Sequence, residues 1–205
     1  MKLYDYPPSG NGYKVRLLLA HLGLRYEYIP LDILRGESKT GSFLSKNPQG
    51  KIPVLELDDG RTLPESNAIL FFLSQGTPYW PADPLDQTEA LKWLFFEQNS
   101  HEPHIATARF WLAIKRIKLT PFYRELLGQK QAQGRQALEV MDVHLRERPY
   151  LVGDRYTIAD IGLYAYTHVA PEAGIDLEPY RSVRRWLADV RRQEGHVPID
   201  ARSAG

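Results

Sequence analysis

Apolar positions in the first 76 residues switch between two periods. Lys2 to Tyr6 reads as a short strand closed by Pro7-Pro8, and Ser9-Gly10-Asn11-Gly12 reads as a loop entering a helix. Val15, Leu18, Leu19 and Leu22 then follow at helical spacing, with Gly23 as the stop. Tyr26 to Leu31 is a second strand candidate and Ile52 to Leu57 a third. Asp58-Asp59-Gly60 is a hairpin signal with Arg61 to Leu63 returning, and Ser66, Ile69, Leu70 and Leu73 resume helical spacing. The polar stretch from Asp32 to Gln49 has no strong period beyond Phe43-Leu44. The order is therefore β-α-β, a connection, then β-β-α, which packs as a compact α/β unit.

Residues 77–85, with Pro78, Pro81 and Pro84, read as a linker, and strand signals fade after them. Helices are expected from Asp86 to about Lys118 with a kink at Pro103, and from Pro121 to Arg146 with Gly134, Leu138, Met141 and Leu145 on one face. Two more are expected, from Thr157 to about Ala170 and from Pro179 to Arg192. The third of the four is strongly apolar and so central. Residues 86–205 thus form an all-helical second domain, and residues 195–205 read as a loose tail.

Charge narrows the function. Up to Gly76 there are 9 basic and 8 acidic residues, and 17 of each follow, so no basic excess suggests a nucleic-acid partner. The longest apolar run, Ala68 to Leu73, is far short of the ~20 residues that span a bilayer. No export signal opens the chain, which makes the cytoplasm the expected compartment. The chain has no cysteine, so any thiol chemistry must arrive on a substrate.

Two short motifs could bind a peptide-like ligand. Ile52-Pro53 is either an ordinary edge proline or a cis bond that leaves the Ile52 main chain free for an extended peptide. Glu65-Ser66-Asn67 lies where strand gives way to helix. A serine there is a plain helix cap, or its hydroxyl and the free N–H groups take a carboxylate while Glu65 takes an ammonium.

Asn47-Pro48-Gln49-Gly50-Lys51-Ile52-Pro53-Val54-Leu55, with Glu65-Ser66 beginning twelve residues after Pro53, resembles the glutathione-binding core of the cytosolic glutathione transferases. The resemblance covers nearly the whole chain. It implies a thioredoxin-like α/β domain over residues 1–76 and an all-α domain over 86–205 that lines the electrophile pocket. It implies that Ile52 and cis Pro53 pair with the cysteinyl part of glutathione, and that Glu65 and Ser66 hold the γ-glutamyl headgroup. Lys39 and Lys51 become candidates for the glycyl carboxylate. Glutathione is then a co-substrate, no metal or permanent cofactor is needed, and the protein is a homodimer. Thr157-Ile158-Ala159-Asp160 matches the family's capping box, a folding device rather than a catalytic one.

Within the resemblance, Ser9-Gly10-Asn11 aligns with the serine-type enzymes and with a nu-like pattern in which an asparagine also faces the sulfur. Ser9 and Asn11 are the expected activators, with Tyr6 the alternative. Lowering a thiol pKa by about two units requires ~2.7 kcal/mol of thiolate stabilisation, within reach of hydrogen-bond donors at a helix N-terminus. His101-Glu102-Pro103-His104 lacks the spacing of a zinc motif, so no metal site is expected. His104, Ala108, Arg109 and Trp111 are expected in the electrophile pocket. The activity implied is conjugation of glutathione to small hydrophobic electrophiles in detoxification. The alternatives are a glutathione-dependent disulfide reductase or peroxidase, and a non-catalytic adaptor for protein partners.

Overall fold

In the computed structural model, which describes residues 1–201, the chain divides into two units. Among the described residues, one comprises Met1–Gly76 together with residues 194–201, and the other Thr77–Gln193.

The first unit is a four-stranded sheet, β1 (Lys2–Asp5), β2 (Glu27–Pro30), β3 (Val54–Glu56) and β4 (Thr62–Pro64), in the order β2-β1-β3-β4. β1 runs parallel to β2 and antiparallel to β3, and β3 pairs antiparallel with β4. The crossover from β1 to β2 is α1 (Gly10–His21), and α3 (Ser66–Ser74) follows β4 and packs on α1. This is the thioredoxin-like arrangement. Leu3, Leu17, Leu18, Val54, Leu55, Ile69 and Leu70 are wholly buried between sheet and helices. The stretch without sequence period is irregular, with short turns and the four-residue α2 (Gly41–Leu44), whose Phe43 is buried against the Tyr4 ring.

The second unit is built of helices, α4 (Pro84–Phe96), α5 (Glu102–Arg109), α6 (Pro121–His144), α7 (Ile158–Thr167) and α8 (Arg181–Arg191), with one isolated bridge between Val152 and Arg155. The first long helical run is broken where Pro103 lies. A π-helical turn at Glu97–His101 separates α4 from α5, because proline has no N–H to offer the turn before it. Every residue of α7 is buried, and α4, α5 and α8 pack on it.

The Thr157–Asp160 capping box is formed as the spacing predicts, and Asp160 serves more than α7. Its Oδ2 accepts from Thr157 N and Oγ1, and its Oδ1 accepts from Leu151 N and from Trp186 Nε1 of α8. Four donors converge on one fully buried carboxyl. α8 has no cap of its own, and Asp142 of α6 accepts from Ser182 N and Val183 N in its place.

The expected loose tail is not loose over residues 195–201, which belong with the first unit; residues 202–205 lie outside the described residues. Tyr13 Oη donates to Val197 O at 2.7 Å, and Arg16 Nη1 donates to Ile199 O and Ala201 O. Buried donors on α1 thus satisfy the main chain of a segment whose composition alone reads as polar coil. Among the described residues no helix is long and apolar enough to cross a membrane.

Asp160→Asn removes one acceptor oxygen from four donors and is expected to lower stability by about 2–5 kcal/mol. Burial raises the Asp160 carboxyl from 3.8 to about 6, against the pull of its donors. The folded protein therefore keeps that proton where the unfolded chain has released it, and the stabilisation Asp160 provides declines as pH rises from about 4 to about 6. The deficit of Asp160→Asn should accordingly be largest near pH 4 and shrink towards pH 6, measured by urea unfolding of both proteins across that window.

Candidate active site

The site grows from the junction of β1 with α1. Ser9 is the N-cap of α1, and its Oγ accepts from Gly12 N at 3.2 Å. Capping occupies a lone pair of that oxygen and leaves its proton for another acceptor. Asp5, at the end of β1, is fully buried, and its Oδ1 accepts from Tyr6 N at 2.7 Å. A Cβ at position 12 would fall 1.6 Å from Asp5 Oδ1, so only glycine lets the carboxylate lie against the first turn of α1. Arg16 Nε donates to Asp5 Oδ2 at 3.0 Å, and both side chains are nearly inaccessible. Burial nonetheless raises Asp5 to about 7, with Arg16 pulling it down.

The start of α3 lies beside the start of α1. Ser66 Oγ is 3.3 Å from Asn11 Oδ1, and Lys14 Nζ is 3.3 Å from both Ser66 Oγ and Asn67 Oδ1. Lys14 is wholly buried. Its ammonium has only donors to give, so the Ser66 hydroxyl accepts from Lys14 and donates its own O–H to Asn11 Oδ1. Sequence reasoning missed Lys14, which stands among apolar helix positions; the signal available was a lysine on the face that α1 buries.

Glu65 precedes α3 with φ 69° and ψ 108°, a conformation that side chains rarely adopt and that costs roughly 1–3 kcal/mol. Its side chain does not cap the helix. The first turn of α3 therefore presents N–H groups beside the Ser66 hydroxyl, the setting in which a helix start takes an anion.

The Ile52–Pro53 bond is cis. Ahead of it, buried Asn47 fixes the loop: its Nδ2 donates to Lys51 O at 2.8 Å and its Oδ1 accepts from Gln49 N at 3.1 Å. Lys39 Nζ donates to Gln49 O at 2.9 Å, and Gly50, at φ 62°, leaves room for that lysine. Lys51 is exposed. Gln49 Nε2 reaches Glu65 Oε1 at 3.5 Å, which links the loop to the start of α3. Burial, with Asp32 nearby, raises the Tyr6 phenol and makes it a weaker acid.

The four residues expected to meet the electrophile stand in separate settings of the helical unit. His104 lines a cavity of about 290 Å³ with Phe96, Asn99, Gln133 and Val140, and burial lowers its pKa. Arg109 Nε donates to Glu172 Oε2 at 2.8 Å, and the Trp111 ring meets Tyr123 edge-on. Ala108 has no exposed surface. His101 Nε2 is 2.9 Å from Thr167 Oγ1, which donates to Leu163 O. Among the described residues no group of three or more His, Asp or Glu could hold a metal ion.

Residues 1–75 match the family model of the glutathione S-transferase N-terminal domain, and residues 102–194 that of the C-terminal domain. A glutathione S-transferase structure from Pseudomonas fluorescens superposes with a TM-score of 0.94 at 50% identity, covering 97% of this chain and 98% of that one. The structure of Ure2p in complex with glutathione gives 0.82 at 28% identity, covering 95% and 90%. The glutathione S-transferase-like protein LUC7 of a Fusarium species is 32% identical over 94% of this chain and 90% of its own length. Elongation factor 1-gamma of Artemia salina is 29% identical over 94% of this chain, which spans only 44% of that protein.

Gly12→Ala should drive the Asp5 carboxylate off α1 and cost more than about 3 kcal/mol. Gly128→Ala, in α6 with nothing within 4 Å of the added carbon, should stabilise by about 0.5–1 kcal/mol. Thermal unfolding of the pair checks both signs.

Proposed function

This chain belongs to the glutathione S-transferase family, and from that premise we propose that it joins the thiolate of glutathione to small hydrophobic electrophiles. The observation that carries the reading is the meeting of two helix starts, with 3.3 Å between Ser66 Oγ on α3 and Asn11 Oδ1 on α1. One helix start suits a carboxylate and the other a thiolate, and glutathione carries both.

The γ-glutamyl carboxylate takes the first turn of α3 and the Ser66 hydroxyl, and the ammonium takes Glu65. Ile52, beside cis Pro53, pairs with the cysteinyl main chain. Lys39 and Lys51 serve the glycyl carboxylate. The thiol then lies at the start of α1, where Ser9 Oγ–H and the Asn11 amide donate to sulfur as its proton leaves for solvent. The thiolate attacks an electrophilic carbon, the carbon–sulfur bond forms, and the leaving group departs with its electron pair. Holding both reactants supplies the remaining rate enhancement. Of the residues of the helical unit, His104 and Trp111 remain for the electrophile, since Ala108 has no surface and Arg109 is engaged by Glu172. Family membership is the support for a cytoplasmic homodimer with a role in detoxification.

A second reading, glutathione-dependent reduction of disulfides or peroxides, is favoured by the placement of Asn11. The same thiolate would attack a disulfide sulfur and expel a thiolate. A second glutathione would resolve the mixed disulfide and leave oxidised glutathione. The similarity to elongation factor 1-gamma supports the third, an adaptor without turnover. A thermal-shift titration with glutathione separates the adaptor, which should not respond.

Ser66→Ala should weaken glutathione binding about tenfold, the equivalent of one charged hydrogen bond, read by calorimetry. Ser9→Ala and Asn11→Ala should instead shift the acid limb of kcat/KM to higher pH with little change in glutathione affinity. If Tyr6→Phe alone moves that limb, the tyrosine is the donor.

A further inference from the structure

Residues 194–201 are gripped by α1 at four main-chain carbonyls. His21 Nδ1 is 2.7 Å from Glu194 O, Tyr13 Oη donates to Val197 O, and Arg16 Nη1 donates to Ile199 O at 2.7 Å and to Ala201 O at 3.1 Å. Gly195, at φ 75°, lies so close that a Cβ there would be 3.3 Å from Ala20 O. The segment is a strap along the helix whose first turn carries Ser9 and Asn11.

Arg16 stands at the junction. The same guanidinium donates through Nε to Asp5 Oδ2 and through Nη2 to Pro7 O at 2.8 Å. Pro7 is the first central residue of the turn in which Ser9 N donates to Tyr6 O at 2.7 Å. One planar group thus fixes the end of β1, the loop that delivers Ser9, and the strap. Its donors are set in a rigid fork, so their directions cannot be chosen independently. Without the strap, Nη1 would lose both carbonyl acceptors and the cover that keeps Arg16 at 3% exposure. The guanidinium would then turn to find others, and the Pro7 carbonyl would be released.

We propose that Arg16 is a positioning residue for the Ser9 loop, and that the C-terminal strap at 194–201 is what holds it in place. The inference rests on the reading of Ser9 as a thiol donor, and it makes the far end of the chain a determinant of thiol activation. Lysine at position 16 could keep the charge beside Asp5 but not reach Pro7 and the strap at once, so Arg16→Lys separates positioning from charge balance.

Arg16→Lys, a chain ending at Gln193, and the two combined are compared with the wild type. Two readouts are taken: the thiol pKa of bound glutathione from thiolate absorbance, and hydrogen exchange at the Ser9 amide. Each single change should raise the bound thiol pKa by about one unit and speed Ser9 exchange at least several-fold. The combined variant should do no more than either, since both act through one fork. Where the shortened chain does not fold, Tyr13→Phe loosens the strap at His196 and Val197 and should move both readouts in the same direction by less. Wild-type titration and exchange in Arg16→Lys, or additive effects, would overturn the proposal while leaving the thiol-activation reading intact. A wild type that binds glutathione without lowering its thiol pKa would sink both, and exchange at Ser9 would still tell whether strap and loop are coupled.

Discussion

The contact on which the candidate site depends is the buried pair of Asp5 and Arg16, seated on α1 where Gly12 has no side chain. An ion pair removed from water contributes little net stability by itself, because desolvation offsets most of the attraction. Its value here is directional. The Asp5 carboxylate takes Tyr6 N, and the Arg16 fork takes Pro7 O, so the two residues that lead into the Ser9 turn are held from one side. Breaking the pair would strand a charge in the core, and this protects the geometry against drift.

On that base the two helix starts can be brought together. α1 supplies Ser9, Asn11 and Lys14, and α3 supplies Ser66 and Asn67. The buried Lys14 ammonium gives the chain of hydrogen bonds a single sense, from Lys14 to Ser66 to Asn11. An amide that accepts through its oxygen presents its NH2 as the donor side. The strained backbone of Glu65 belongs with this picture, since a conformation that costs free energy persists only where the surrounding structure holds it.

Much of this was legible in the sequence because local rules and tertiary packing agree. The hairpin follows from Asp58-Asp59-Gly60, the capping box from Thr157 and Asp160, and the α/β order from the change of period. What escaped was whatever depends on a partner far along the chain. Arg16 reads as a solvated helix residue until its acceptors at 199 and 201 are known. Lys14 stands among apolar helix positions, but what its ammonium meets is known only once Ser66 is placed beside it. The tail reads as coil because its contacts use main-chain carbonyls, which leave no trace in side-chain pattern. The family resemblance proposed His104, Ala108, Arg109 and Trp111 for one pocket but could not say that Glu172 engages Arg109. Asn47 was seen as part of a motif, yet its work of closing the loop before Pro53 appears only in three dimensions.

The central claim is that the first turn of α1 stabilises a thiolate brought by glutathione. Absorbance of the thiolate in the complex of the wild-type protein with glutathione, followed from about pH 5 to about pH 10, addresses it without any electrophile. The account predicts a midpoint about two units below the ordinary thiol value of about 8.5. A bound thiol that titrates like the free one would contradict it.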